Sequence, residues 1–112
     1  MDACMIAFSF LICAIVPMAN SVTPWRPVYY VNDPFIQRLG KWAVTEEHTT
    51  LSFCKVESAW VQTVDFLTDD HNYKLIIDAS SRAGDSCNKY RAVVFVTSQS
   101  IPTKLLSFEF IG

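Results

Sequence analysis

The sequence predicts an α+β domain in which one N-terminal helix lies on a curved antiparallel sheet of four to five strands. Three observations carry this. A capped amphipathic segment spans residues 35–47, four β-favouring runs follow it, and turn-forming residues join those runs into an antiparallel meander. The chain has 112 residues, 51% hydrophobic and 18% charged, enough apolar content for the core of one small domain. With only 3 glycines and no low-complexity tract or internal repeat, no long linker divides it.

Residues 1–21 stand apart from the rest. Ala3, Met5–Phe8, Phe10–Ile12 and Ala14–Val16 make an apolar run without a basic residue. The run is short for a bilayer span and fits the apolar part of a secretory signal, with Ala19-Asn20-Ser21 as small residues at a cleavage site placed after Ser21. The expected mature domain is therefore 22–112, secreted to the extracellular space or a vacuole and without a membrane anchor. Loss of Asp2 with the signal changes the formal net charge from −2 to −1. Neither value is an electrostatic footprint for nucleic acid or anionic lipid.

In the mature segment, Trp25 to Val31 reads as extended: Pro24 and Pro27 exclude a helix, and Val28, Tyr29, Tyr30 and Val31 favour a strand. Asn32-Asp33-Pro34 announces the helix, with Asp33 able to cap free amides and Pro34 suited to the first turn. Phe35, Ile36, Leu39, Trp42 and Ala43 recur at spacings of three and four, while Gln37, Arg38, Lys41 and Thr45 occupy other faces. Gly40 costs a helix roughly 1 kcal/mol relative to Ala, so it marks close packing against a sheet. Thr49 and Thr50 end the helix.

The strands are expected over 51–64, 72–80, 90–97 and 104–110. Alternation is clearest in the third, where Tyr90, Ala92, Val94 and Val96 share a face, and in the fourth, where Leu106, Phe108 and Phe110 do. The first alternates poorly, and Ser58-Ala59-Trp60 at its centre is the expected place for a bulge or bend. Gly84, Asp85 and Asn88 mark one connection and Pro102 another. Trp42 is expected in the core, Trp25 as an anchor of the N-terminal segment to the sheet edge, and Trp60 as a cover on the sheet.

Cys4 and Cys13 leave with the signal, and Cys54 and Cys87 remain. Two thiols in an oxidising compartment are a candidate disulfide, with reactive thiols the alternative. If Gln62 and Asn72 flank the first hairpin, Cys54 falls near Ser80 and Cys87 in the next loop, so a bridge is sterically allowed. Cysteines and histidines at these spacings match no metal-ligand pattern, and no cofactor is expected. No G-x-S-x-G, phosphate-binding loop or H-E-x-x-H occurs, and a Cys nucleophile with His48 or His71 would need a cleft that a small domain of convex loops does not offer. An enzyme is not expected.

Several motifs then occur in a specific order. They are Trp25-Arg26-Pro27-Val28, Val31-Asn32-Asp33-Pro34, Leu39-Gly40-Lys41-Trp42-Ala43-Val44-Thr45-Glu46, Gln62-Thr63-Val64-Asp65-Phe66, Asn72-Tyr73-Lys74-Leu75, Lys89-Tyr90, Ala92-Val93-Val94-Phe95 and Leu105-Leu106-Ser107-Phe108. This series, spanning 25–108, resembles the plant cystatins, above all those of cereals, which are protein inhibitors of papain-like cysteine peptidases. The resemblance implies a cystatin-like fold and a reversible inhibitor that plugs the peptidase cleft with three parts. These are a trunk at Thr23, Pro24 and Trp25, a first hairpin at Gln62, Thr63, Val64, Asp65 and Phe66, and a second hairpin at Ser98, Gln99, Ser100, Ile101 and Pro102. It implies papain-like peptidases as partners and a monomer, or a dimer that exchanges elements by opening the first hairpin.

Each part departs from the family pattern. Thr23-Pro24 stands where glycine precedes the tryptophan, Phe66 replaces the glycine of Q-x-V-x-G, and Gln99 aligns with the usual second-loop tryptophan. The helix-to-strand connection, 46–50, is also short. Leu67-Thr68-Asp69-Asp70-His71 lengthens the first loop, so a wider turn can dispense with the glycine. A second reading follows from these departures: a secreted cystatin-fold binding or signalling module whose inhibition is weak or lost.

Overall fold

The computed structural model describes residues 22–47, 50–82 and 84–112. The expected signal segment, its cleavage site, His48 and Thr49 lie outside the described residues. Strand β1 (Arg26–Pro27) leads into helix α1 (Pro34–Glu47), followed by β2 (Ser52–Asp65), β3 (Asp70–Ser80), β4 (Asn88–Val96) and β5 (Pro102–Phe110). The strands form one antiparallel sheet in the order β1-β2-β3-β4-β5, a meander with the helix on one face. The α+β expectation holds.

Asp33 starts the helix as its sequence suggests: Phe35 N donates to Asp33 Oδ1 at 2.9 Å, and Pro34 fills the first position, where no donor is needed. Ile36, Leu39, Ala43 and Val44 turn inward and are buried against Val56, Ala59, Leu75, Ile77, Ala79, Ala92, Val94 and Val96. Burying one such Leu, Ile or Val side chain stabilises by about 1.5–3 kcal/mol, so this layer carries the domain. Trp42 departs from expectation, being half-buried at the margin of the core. Val44, two residues on and on the other side of the helix, is buried instead.

Gly40 is where the helix comes closest to the sheet. A Cβ there would collide with Val56 Cγ2 and lie 2.9 Å from Phe53 Cε1. Val56 is fully buried and β-branched, so it has little room to yield. Gly40→Ala should therefore destabilise by about 1 kcal/mol or more, with overpacking outweighing the gain in helix propensity. A thermal unfolding midpoint at or above that of the parent chain would contradict this.

Strand β2 is irregular, but not where expected. Ser58, Ala59 and Trp60 pair regularly with Ile76, Leu75 and Lys74, and the register shifts fall between Phe53 and Lys55, Val56 and Ser58, and Thr63 and Asp65. The unpaired residues are Cys54, Glu57 and Val64. Phe53, Val56 and Ala59 are three apart, a spacing that regular alternation would send to opposite faces. One extra residue in each interval restores the phase, so all three meet the helix side. The displaced Glu57 is tied down by Lys89 Nζ at 2.7 Å, which also reaches Asp78 Oδ1 at 2.9 Å. Bonds to Glu57 and then Asp78 hold the lysine pKa above its ordinary value.

In β4 the expected face of Tyr90, Ala92, Val94 and Val96 is present, the last three buried. Strand β5 differs. Phe108 and Phe110 pack on Tyr90, with ring centroids 5.3 and 5.6 Å away, but Leu106 is the extra residue of a bulge opposite Val93 and Val94 and is exposed. Leu105 packs on the core in its place.

The extended N-terminal segment is shorter than expected, with only Arg26 and Pro27 on the ladder, opposite Val61 and Trp60. Beyond Val28, whose N–H reaches Ala59 O at 2.9 Å, the chain leaves the edge, and Tyr29 and Tyr30 face solvent. The helix takes over there. Gln37 Nε2 donates to Val31 O (2.7 Å) and Val56 O (3.2 Å), while Gln37 Oε1 accepts from Val56 N (3.0 Å). A side-chain amide thus satisfies the strand backbone that a longer β1 would have paired.

The cysteines are bridged. Cys54, pushed out of register at the start of β2, joins Cys87 at the entry to β4, with Cα atoms 6.8 Å apart.

Candidate functional site

Cross-strand register defines one end of the sheet. Thr23 N donates to Thr63 O at 3.1 Å, Thr63 pairs with His71, His71 with Val96, and Val96 with Pro102. The trunk, the first loop (66–69) and the second loop (97–101) therefore leave the sheet along one line. Each presents an apolar side chain: Val22 is 50% exposed, Phe66 73%, Leu67 97% and Ile101 53%.

The first loop is a four-residue connection whose geometry answers the question of the missing glycine. Asp69 N donates to Asp65 O at 2.8 Å, and Leu67 N to Asp65 Oδ1 at 2.9 Å, an Asx turn that fixes the ascending limb. Thr68 Oγ1 donates to Asp70 Oδ2 at 2.8 Å on the descending limb. The left-handed position is Asp69, at φ 60°, and Asp tolerates that region better than most residues. Phe66 is therefore not asked to adopt a positive φ.

The second loop solves the same problem with serine. Ser100 N donates to Thr97 O at 2.9 Å, Thr97 N to Ile101 O at 3.2 Å, and Ser100 sits at φ 60°. This is a turn followed by one left-handed residue, a common three-residue hairpin. Ser98, Gln99 and Ser100 are exposed, Ile101 projects beside them, and Pro102 opens β5 half-buried. Behind this loop a groove of about 430 Å³ runs between the hairpin and the helix, with Trp42 and Pro102 among its walls.

The five residues at the first hairpin divide into two groups. Asp65 and Phe66 reach the tip, together with Leu67, which motif reading alone did not include. Gln62, Thr63 and Val64 lie within β2. Gln62 Nε2 donates to Thr23 O at 3.1 Å, and its Oε1 accepts from Asn72 Nδ2 at 3.0 Å. Thr63 is buried, and its N–H donates to Thr23 Oγ1 at 2.8 Å while Arg26 Nη2 donates to its hydroxyl at 3.4 Å. Gln62 and Thr63 hold the trunk.

Trp25 and Trp60 do not act separately. On the sheet face away from the helix, Lys74 Nζ lies 4.8 Å from the Trp25 ring centroid and 5.1 Å from that of Trp60. Both distances are within cation–π range. On the helix side, Phe35 meets Tyr73 edge-on at 5.6 Å, and burial raises the Tyr73 pKa against the lowering effect of Arg26.

No protein-family profile matches the chain. Individual proteins do. Cysteine proteinase inhibitor 6 of rice (Oryza sativa subsp. japonica) is 36% identical over 106 residues, covering 90% of each chain. Rice cysteine proteinase inhibitor 8 is 40% identical over 90 residues, 76% of this chain and 68% of its own. The chain belongs to the plant cystatin family. A third relative, the putative rice cysteine proteinase inhibitor 7, is 39% identical over 106 residues, 88% of this cystatin and 86% of its own length. The relatives are inhibitors rather than enzymes. Among the described residues of this cystatin, no group of His, Cys, Asp and Glu could hold a metal ion.

Proposed function

We propose that this cystatin inhibits papain-like cysteine peptidases reversibly, entering the active-site cleft with Thr23–Trp25, the Asp65–Asp69 tip and the Ser98–Pro102 loop. The observation that carries this reading is the alignment of three separate segments at one end of one sheet, with exposed apolar residues at Val22 just before the trunk, at Phe66 and Leu67, and at Ile101. Both loops are closed by their own backbone bonds, so each offers a peptidase a turn rather than the extended segment a cleavable substrate presents. A preformed edge also limits the ordering cost of association.

In this reading the chain performs no chemistry and the inhibitory unit is a single folded domain. The apolar run before Asn20 directs it into the secretory pathway, and a bridge between Cys54 and Cys87 is in keeping with an oxidising destination. Titration of papain with the chain should give stoichiometric inhibition that is relieved on dilution. Full peptidase activity at micromolar chain would overturn the proposal.

One observation favours a second reading, a cystatin-fold binding module with weakened inhibition. The second tip carries Gln99, with Ile101 and the half-buried Pro102 as its apolar contacts, and a lost aromatic anchor costs an interface about 2 kcal/mol or more. The same titration separates the readings through the affinity it returns.

A further inference from the structure

Backbone holds the trunk at separate points, Thr23 N on Thr63 O and then β1, and leaves Pro24 and Trp25 between them without a backbone bond across to β2. Pro24 and Pro27 have no N–H, and only two residues of the segment are on the ladder. Its course between those points therefore depends on side chains, and the polar ones act at Arg26, whose Nη2 reaches Thr63 Oγ1, and at Thr23: Gln62 on Thr23 O, and Thr23 Oγ1 under Thr63 N. Between Thr23 and β1 stands Trp25, whose position is set from β3. Lys74 pairs with Trp60 across β2 and β3, and its ammonium lies against both indoles, one on the trunk and one on β2. The cation thus links β3 to the trunk across the whole width of β2.

The geometry points to Lys74 as a positioning residue for the trunk: held between Trp25 and Trp60, it fixes the path on which Val22 to Trp25 meet a partner. This rests on the reading of the trunk as a peptidase contact only for its functional consequence. Lys74 itself lies on the sheet face, behind the tips. Trp60 makes the arrangement a property of this sequence, because a single indole would leave one side of the ammonium to water.

The test is a double-mutant cycle between Lys74→Met and Trp25→Ala, read by hydrogen exchange of the Thr23 and Val28 amides and by papain affinity. Lys74→Met keeps an apolar stem and removes the charge. It should speed Thr23 exchange about five- to tenfold and weaken papain binding by a similar factor, with both effects lost in the Trp25→Ala background and restored by Lys74→Arg. Unchanged Thr23 exchange, an equal loss of protection throughout β2 and β3, or an effect that persists without Trp25 would each overturn the assignment. Should the parent chain fail to inhibit papain while the exchange cycle behaves as expected, Lys74 still positions the trunk and only the inhibitory reading fails.

Discussion

Replacing Phe66 and Leu67 together with alanine should weaken papain inhibition by about a hundredfold or more while leaving the fold intact. Both side chains project from the loop, and Leu67 at 97% exposed makes almost no contact within the chain. Exposed positions of this kind change stability by no more than about 0.5 kcal/mol. The turn survives the substitution because it is built by Asp65, Thr68, Asp69 and Asp70, not by the apolar pair. Large apolar residues on a preformed tip supply interface energy only when a partner desolvates them, at about 2 kcal/mol or more for each good anchor. Inhibition constants and unfolding midpoints measured on the same variant decide the matter. An unchanged constant would remove the first loop from the contact surface, and a large fall in midpoint would show that the pair supports the fold instead.

Replacing Cys54 and Cys87 by serine should have the opposite signature. The bridge joins residues 33 apart in sequence, and a loop of that length constrains the unfolded chain by about 3–4 kcal/mol. For a domain of this size the unfolding midpoint should fall by roughly 15 °C or more. Papain affinity should change little at temperatures where the variant is folded. Cys54 and Cys87 lie at the end of the sheet where Ser52 meets Ser80 and Ala79 meets Asn88, opposite the row of Thr63, His71, Val96 and Pro102. Serine variants are preferable to a reductant, since a peptidase with a catalytic thiol is itself redox-sensitive. A midpoint shift of less than a few degrees would mean that the bridge contributes little to stability.

The two ends of the sheet differ in how far they could be read from sequence. The helix was legible because its cap, Asp33-Pro34, and its inward positions Ile36, Leu39 and Ala43 all speak the same periodic language. Strand β4 was legible because its alternation is unbroken from Tyr90 to Val96. Strand β2 was not, because extra residues at Cys54 and Glu57 reset the phase twice, leaving Phe53, Val56 and Ala59 at a spacing that belongs to neither regular element. The bulge at Leu106 misled in the same way, since a face assigned by alternation is wrong on one side of any inserted residue.

At the candidate site, motif order located both hairpins, but the chemistry within the first was redistributed. Gln62 and Thr63 turned inward to hold the trunk because their strand continues to Asp65, and Leu67 emerged at the tip because the connection is four residues long. The apolar doublet Phe66-Leu67 between Asp65 and Thr68-Asp69 was the available signal. Contacts between distant segments gave none: a glutamine on a polar helix face and a lysine in a strand carry no mark of their partners until the sheet is assembled.

Gln37 bears on how the molecule behaves in company. A sheet edge with unpaired amides and carbonyls is a template for another chain's strand, and β2 beyond the short β1 would be one. The glutamine amide occupies both backbone groups of Val56 and so closes that stretch to strand addition. At the far edge, register breaks at Thr103 and Leu106 kink β5 away from the flat geometry that edge-to-edge growth requires. The sheet that arrays three contacts at one end thus guards both flanks against aggregation.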